Sequence, residues 1–130
     1  MALKRESKLW KRIKNLQLKA QIFRIESNTI NGIPDVYILY KGRSIWLELK
    51  ANDLKNYGIS KWQINWHIEY QKHGGNSFFL ASGVKQRGLK LLRIKSSGAV
   101  ELVAGGVDNE LSLQLMMSRC SFHVPRSTPR

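Results

Sequence analysis

The sequence predicts an α/β domain built on a mixed central sheet, with its elements in the order helix, three strands, helix, strand. Three observations predict it. An apolar stripe at helical spacing runs through Leu3 to Leu18; period-two and β-branched segments fill Gln21 to Lys50; and a second helical segment, from Ser60 to Gly74-Gly75, precedes a short apolar run. Strands grouped before a helix that leads into a further strand, followed by an appendage, give an α/β arrangement with a mixed sheet. The 130 residues suit one core.

The first helix carries Leu9, Ile13 and Leu16 at i, i+4, i+7 with Trp10 beside them. Its outer face is basic, with Lys4, Arg5, Lys8, Lys11, Arg12 and Lys14. From Gln21 to Glu26, Phe23 and Ile25 alternate with Arg24 and Glu26, a strand pattern, and Asn28 to Gly32 supply loop residues. Val36 to Tyr40 is the next strand, Lys41-Gly42-Arg43 turns the chain, and Ser44 to Lys50 sets Ile45, Leu47 and Leu49 against Trp46, Glu48 and Lys50.

A polar stretch from Asn52 to Gly58 leads to the second helix, with Ser60 as N-cap. Ile59, Trp62, Gln63, Trp66 and Tyr70 fall on one side of it, and Ile64 and Ile68 nearly opposite. Phe78 to Ala81 reads as a buried strand. Leu89 to Lys95 and Ala99 to Val103 flank Ser96-Ser97-Gly98 as a hairpin, and Asn109 to Met117 suits helix or strand. We therefore divide the chain into a main domain, residues 1–95, and a C-terminal appendage, residues 96–130, ending in a mobile basic tail with Arg119, Arg126 and Arg130.

Lys and Arg number 22 against 9 Asp and Glu, a formal net charge of +13. With 42% hydrophobic residues the chain is not a disordered polyelectrolyte, so the excess charge implies a polyanionic partner. No run approaches the ~18 apolar residues of a membrane span, and the N-terminal segment turns charged where a secretion signal would be apolar. The expected location is intracellular, cytoplasmic or DNA-associated. The single cysteine, Cys120, forms no internal disulfide, and with His67, His73 and His123 scattered it builds no zinc site; the histidines read as structural or solvent-exposed. A metal would be held by oxygen. The phosphate contacts expected of the basic first helix position a duplex without reading bases, and no recognition-helix, zinc-finger or zipper pattern is present.

Asp35 follows Gly-Ile-Pro at the start of one strand, and Glu48 and Lys50 close the next. Period two puts Glu48 and Lys50 on one face, opposite Ile45, Leu47 and Leu49. An even-length turn brings Asp35 onto that face, opposite Glu48 or Lys50; a three-residue turn puts it on the other unless a bulge resets the register. Two carboxylates suit Mg²⁺, or Mn²⁺ in its place, which takes its remaining ligands from water and phosphate oxygens. Such an ion polarises a phosphodiester and acidifies water, and a lysine beside it can stabilise developing negative charge.

Gly32-Ile33-Pro34-Asp35 followed by Glu48-Leu49-Lys50 resembles the signature of the PD-(D/E)XK nuclease superfamily, whose restriction-endonuclease-like core is an αβββαβ unit around a mixed sheet. Ile59 to Trp66, ending at Gly74-Gly75, is similar to the VRR-NUC branch, in which a glutamine opens the helix after the lysine strand. The resemblance covers about residues 3–82, and the segment after Val84 has no counterpart in it. It implies Asp35 and Glu48 as metal ligands with the backbone carbonyl of Leu49, Lys50 as catalytic lysine, Gln63 as an active-site residue and Glu6 as a second-shell or second-metal acid. It also implies a small, dimeric, Mg²⁺-dependent DNA endonuclease acting on branched DNA in repair or recombination, as a Holliday junction resolvase does. Ile64 and Ile68, or Leu111 to Met117, would supply the homodimer interface. A nicking or flap nuclease without junction preference, and a noncatalytic basic DNA-binding protein, are the alternatives.

Overall fold

The computed structural model describes residues 2–15, 20–25, 32–40, 42–83 and 88–107, and of residues 2–7 and 106–107 only the backbone. The elements are α1 (Ala2–Lys14), β1 (Ala20–Arg24), β2 (Val36–Tyr40), β3 (Arg43–Lys50), a 3-10 turn (Lys55–Gly58), α2 (Lys61–Lys72), β4 (Asn76–Ser82), β5 (Leu89–Ile94) and β6 (Val100–Val107). The protein is a mixed α/β structure: one six-stranded sheet in which spatial order follows chain order. Neighbours run antiparallel except β3 and β4, which are parallel because α2 carries the chain across.

Alternation along the strands divides the apolar side chains between two faces. On the first, Val36, Ile38, Ile45, Leu47, Leu49, Phe78, Leu80, Leu89 and Leu91 are buried beneath Leu9 and Ile13 of α1. Trp10 packs at the margin of this core, with the Arg24 guanidinium 5.6 Å from its ring centroid. On the second face Phe79, Ala81, Leu92 and Ile94 are covered by Ile59, Ile64 and Ile68. The sheet is thus sandwiched between α1 and α2.

Two expectations change here. Ile64 and Ile68 belong to the second core rather than to a subunit interface, because they are the residues α2 turns toward the sheet. In β1 the core-facing residues are Ala20 and Ile22, so Phe23 lies on the opposite face, beside Tyr37 and 49% exposed. The strand runs Ala20–Arg24 rather than Gln21 to Glu26, so Ile25 lies beyond its end.

His67 sits on the buried side of α2, fully enclosed, its ring 4.3 Å from Phe79 in a stacked contact and edge-on to Trp66. Among the described residues neither ring nitrogen has a hydrogen-bond partner, and burial pushes its pKa down to about 3. His73 is exposed, with Nδ1 2.9 Å from the Glu69 carbonyl oxygen.

The β5–β6 hairpin turns at Lys95, whose N–H donates to the Ala99 carbonyl, and carries the sheet on to Val107, into the residues assigned above to the appendage. Asn109 to Met117, Cys120, His123 and the basic tail lie outside the described residues, as do the side chains of Lys4, Arg5 and Glu6. Among the described residues no helix is long and apolar enough to cross a membrane.

Candidate active site

The geometry begins with the turn between β2 and β3. Tyr40 pairs with Arg43, so only two residues separate the paired ends, and Gly42 has φ 77° as such short connections require. An even loop sets the parity: Val36 faces Leu47, and continuing the register puts Asp35 opposite Glu48. Asp35, Glu48 and Lys50 therefore share the α2 face of the sheet, while Leu47 and Leu49 are buried on the α1 face.

Pro34 explains what happens at the end of the ladder. In this register it is the next position opposite Leu49, and a proline has no N–H to give. That absence leaves the Leu49 carbonyl without its ladder donor, while the Leu49 N–H donates to the Asp35 side chain, to Oδ2 at 3.1 Å. A strand residue's N–H and C=O leave on the same side, so the Leu49 carbonyl also points toward Asp35 and receives no ladder donor from Pro34. On its other side the Asp35 main chain is fixed by the Ile25 N–H, which donates to its carbonyl at 2.6 Å.

Glu48 is 5% exposed, and its Oε2 accepts a hydrogen bond from Gln63 Nε2 at 3.1 Å. The opposite end of the same amide caps α2: Gln63 Oε1 accepts from the Ser60 N–H at 3.0 Å, and Ser60 Oγ accepts from the Gln63 N–H at 3.2 Å. This is a reciprocal capping box, and its signature, a serine three residues before a glutamine, is present in the sequence. The cap decides which way the amide points. With Oε1 committed to an N–H, the NH₂ end must face Glu48.

Gly32 holds the two sides together. At φ +87° it adopts a conformation that side chains rarely take, and a methyl group there would lie 3.0 Å from the Gln63 nitrogen and closer still to the Trp62 carbonyl. The Gly32-to-Asp35 segment thus runs directly against the first turn of α2. Gly32→Ala is expected to cost on the order of 1–3 kcal/mol of stability by forcing that turn outward. Chemical denaturation checks it, and a variant as stable as the parent would show that the close approach has no energetic consequence.

Lys50 is half-buried, with Nζ 3.5 Å from the Gly58 carbonyl oxygen. That carbonyl is presented by the 3-10 turn, where Asn56 and Tyr57 have φ of 49° and 54°. Asn52 ties the turn down, its Nδ2 donating to the Tyr57 carbonyl at 3.2 Å and its Oδ1 accepting from the Leu54 N–H at 3.0 Å.

The arrangement offers hard oxygen donors: two carboxylates from Asp35 and Glu48 and the Leu49 carbonyl. Among the described residues no three His, Cys, Asp or Glu side chains group together as a metal cage. This donor set nonetheless fits Mg²⁺, which keeps several waters and needs only one or two protein carboxylates. Of the basic residues of α1, Lys8, Lys11 and Lys14 are exposed and Arg12 half-buried, in the layer across the sheet from α2. On the α2 side Lys55, Lys61 and Lys72 are exposed, the last paired with Glu69, and Lys90 lies 5.9 Å from the Tyr57 ring centroid; none belongs to a basic run, so sequence alone does not single them out. Compared with known proteins, the chain matches no family model and no curated protein sequence.

Proposed function

We propose that the chain is a metal-dependent DNA endonuclease of PD-(D/E)XK type, similar to the VRR-NUC branch, with α1 to β4 as its restriction-endonuclease-like core. The observation that carries the reading is the placement of Asp35, Glu48 and Lys50 on one face at the ends of adjacent strands, with the Gln63 amide locked onto Glu48. Asp35, Glu48 and the Leu49 carbonyl would hold Mg²⁺, or Mn²⁺ in its place. Once bound, such an ion polarises the phosphodiester and lowers the pKa of a water at the site.

The protein's own groups do the rest. Lys50, on the Glu48 face, offers its ammonium to the negative charge that develops on the phosphate. Gln63 keeps Glu48 oriented, and its neutral amide adds no charge beside the carboxylate. The net charge of +13 draws the backbone in, and a bound divalent cation would offset the charge of the carboxylates there. Selectivity would come from DNA shape, with branched or four-way junction DNA as substrate and a homodimer delivering two symmetric cuts.

The test is cleavage of four-way junction, flap, nicked and plain duplex DNA of equal length, with Mg²⁺ and with chelator. Mg²⁺-dependent cutting that favours the junction is the expected result. Equal cutting of all branched forms points to a nicking or flap enzyme, and binding without cleavage in Mg²⁺ and Mn²⁺ makes the chain a noncatalytic DNA-binding protein.

A further inference from the structure

We propose that the groove on the outer side of α2 takes an unstacked nucleobase, with Trp62 and Trp66 as its stacking surfaces. The groove measures about 520 Å³ and is lined by Trp62, Asn65, Trp66, Glu69, Tyr70 and His73. It is a shallow, open groove rather than an enclosed cavity, and four of its six lining residues, Trp62, Trp66, Tyr70 and His73, carry rings. Trp66 lies nearly parallel to Tyr70, centroids 4.8 Å apart and planes at 16°, and is braced by Trp46 edge-on at 5.7 Å. Trp62, one helical turn before Trp66 on the same side, is 52% exposed, with the Lys61 ammonium 5.1 Å from its ring centroid.

A half-exposed tryptophan beside a pre-set aromatic pair is apolar surface awaiting a flat partner. Charge selects the partner. A second copy of this chain would bring its own +13 to the same patch, whereas a nucleic acid strand brings the opposite sign along with aromatic bases. Lys61 stands at the rim, where a phosphate would pass. Asn65 presents both a donor and an acceptor to a base edge, which suits binding without strong base preference. Glu69 is held by Lys72 at 3.3 Å, which offsets its charge beside the strand.

One end of the groove, at Trp62, adjoins the proposed chemistry in sequence, because Trp62 directly precedes Gln63, whose amide meets Glu48. In this respect the inference rests on the nuclease reading, and it names the substrate feature that reading left open: a base unstacked at a branch point or unpaired in a flap, which intact duplex does not offer.

The experiment measures binding in chelator, so that no cleavage enters. The probes are a thymidine oligonucleotide of about ten nucleotides and an abasic chain with the same number of phosphates. The oligonucleotide is expected to bind about tenfold more tightly or better. Trp62→Ala should remove most of that preference while leaving abasic-chain affinity unchanged, and Trp62→Phe should restore part of it. Equal affinity for the two probes, or a Trp62→Ala variant with full preference, overturns the proposal. So does a DNA-free dimer that Trp62→Ala dissociates, since the groove would then be a protein interface. Loss of the nuclease reading shows elsewhere, as absent cleavage in Mg²⁺, and does not alter this comparison.

Discussion

Lys50→Ala is expected to slow metal-dependent strand cleavage by about 10²–10³-fold while DNA affinity changes little. The reason is positional. Lys50 is one cation among 22 basic residues, so removing it costs the overall field little, but by strand parity it shares the face of Glu48 and Asp35. Its loss should therefore appear in kcat far more than in KM. Asp35→Asn is the matched variant. Asparagine keeps an oxygen to accept the Leu49 N–H and so preserves the local fold, but it removes the charge a divalent cation requires. Single-turnover cleavage and filter binding on the same junction substrate separate the two quantities, and either variant cutting at the parental rate removes the site assignment.

Acid is expected to destabilise the protein through His67 more steeply than its carboxylates alone would. Burial holds the folded-state pKa at about 3, against 6.5 in the unfolded chain. Between those values the unfolded state binds a proton that the folded state refuses, so stability is fully present above pH 6.5 and is lost as pH falls toward 3. At about 1.4 kcal/mol per pH unit the loss approaches roughly 5 kcal/mol across the window, a large share of a small domain's stability. The measurement is the urea midpoint of the parent and of His67→Leu from pH 7 to pH 4. Carboxylates titrate in both proteins, so the His67 contribution is the difference in slope; parallel curves would mean that the imidazole is protonated without penalty.

Much of the architecture was legible because it follows from period and punctuation. Val36 to Tyr40 is the strand expected, Gly42 marks the turn that sets its register with β3, and Ser60 caps α2. The shared face of Asp35, Glu48 and Lys50 followed from parity once the turn length was known. What stayed hidden were choices that local pattern leaves open. An α2 apolar on both sides does not reveal which side meets the sheet, so Ile64 and Ile68 could be read as interface while they are core. In β1, five residues alternating between half-buried and exposed carry too weak a pattern to fix parity. The paired left-handed residues Asn56 and Tyr57 arise in a stretch whose composition says only loop. Nor does sequence show that Gln63 serves the helix cap and Glu48 together, because the second contact spans two elements.

The Lys41-Gly42 turn also constrains how this region can vary among related chains. Lengthening it by one residue would carry Asp35 to the far side of the sheet, away from Glu48, unless a bulge absorbed the change. Lengthening it by two would return Asp35 to the Glu48 side. Insertions and deletions here should therefore survive selection in pairs, so among active relatives the spacing between the proline-aspartate and glutamate-x-lysine elements should keep its odd or even character while its length drifts.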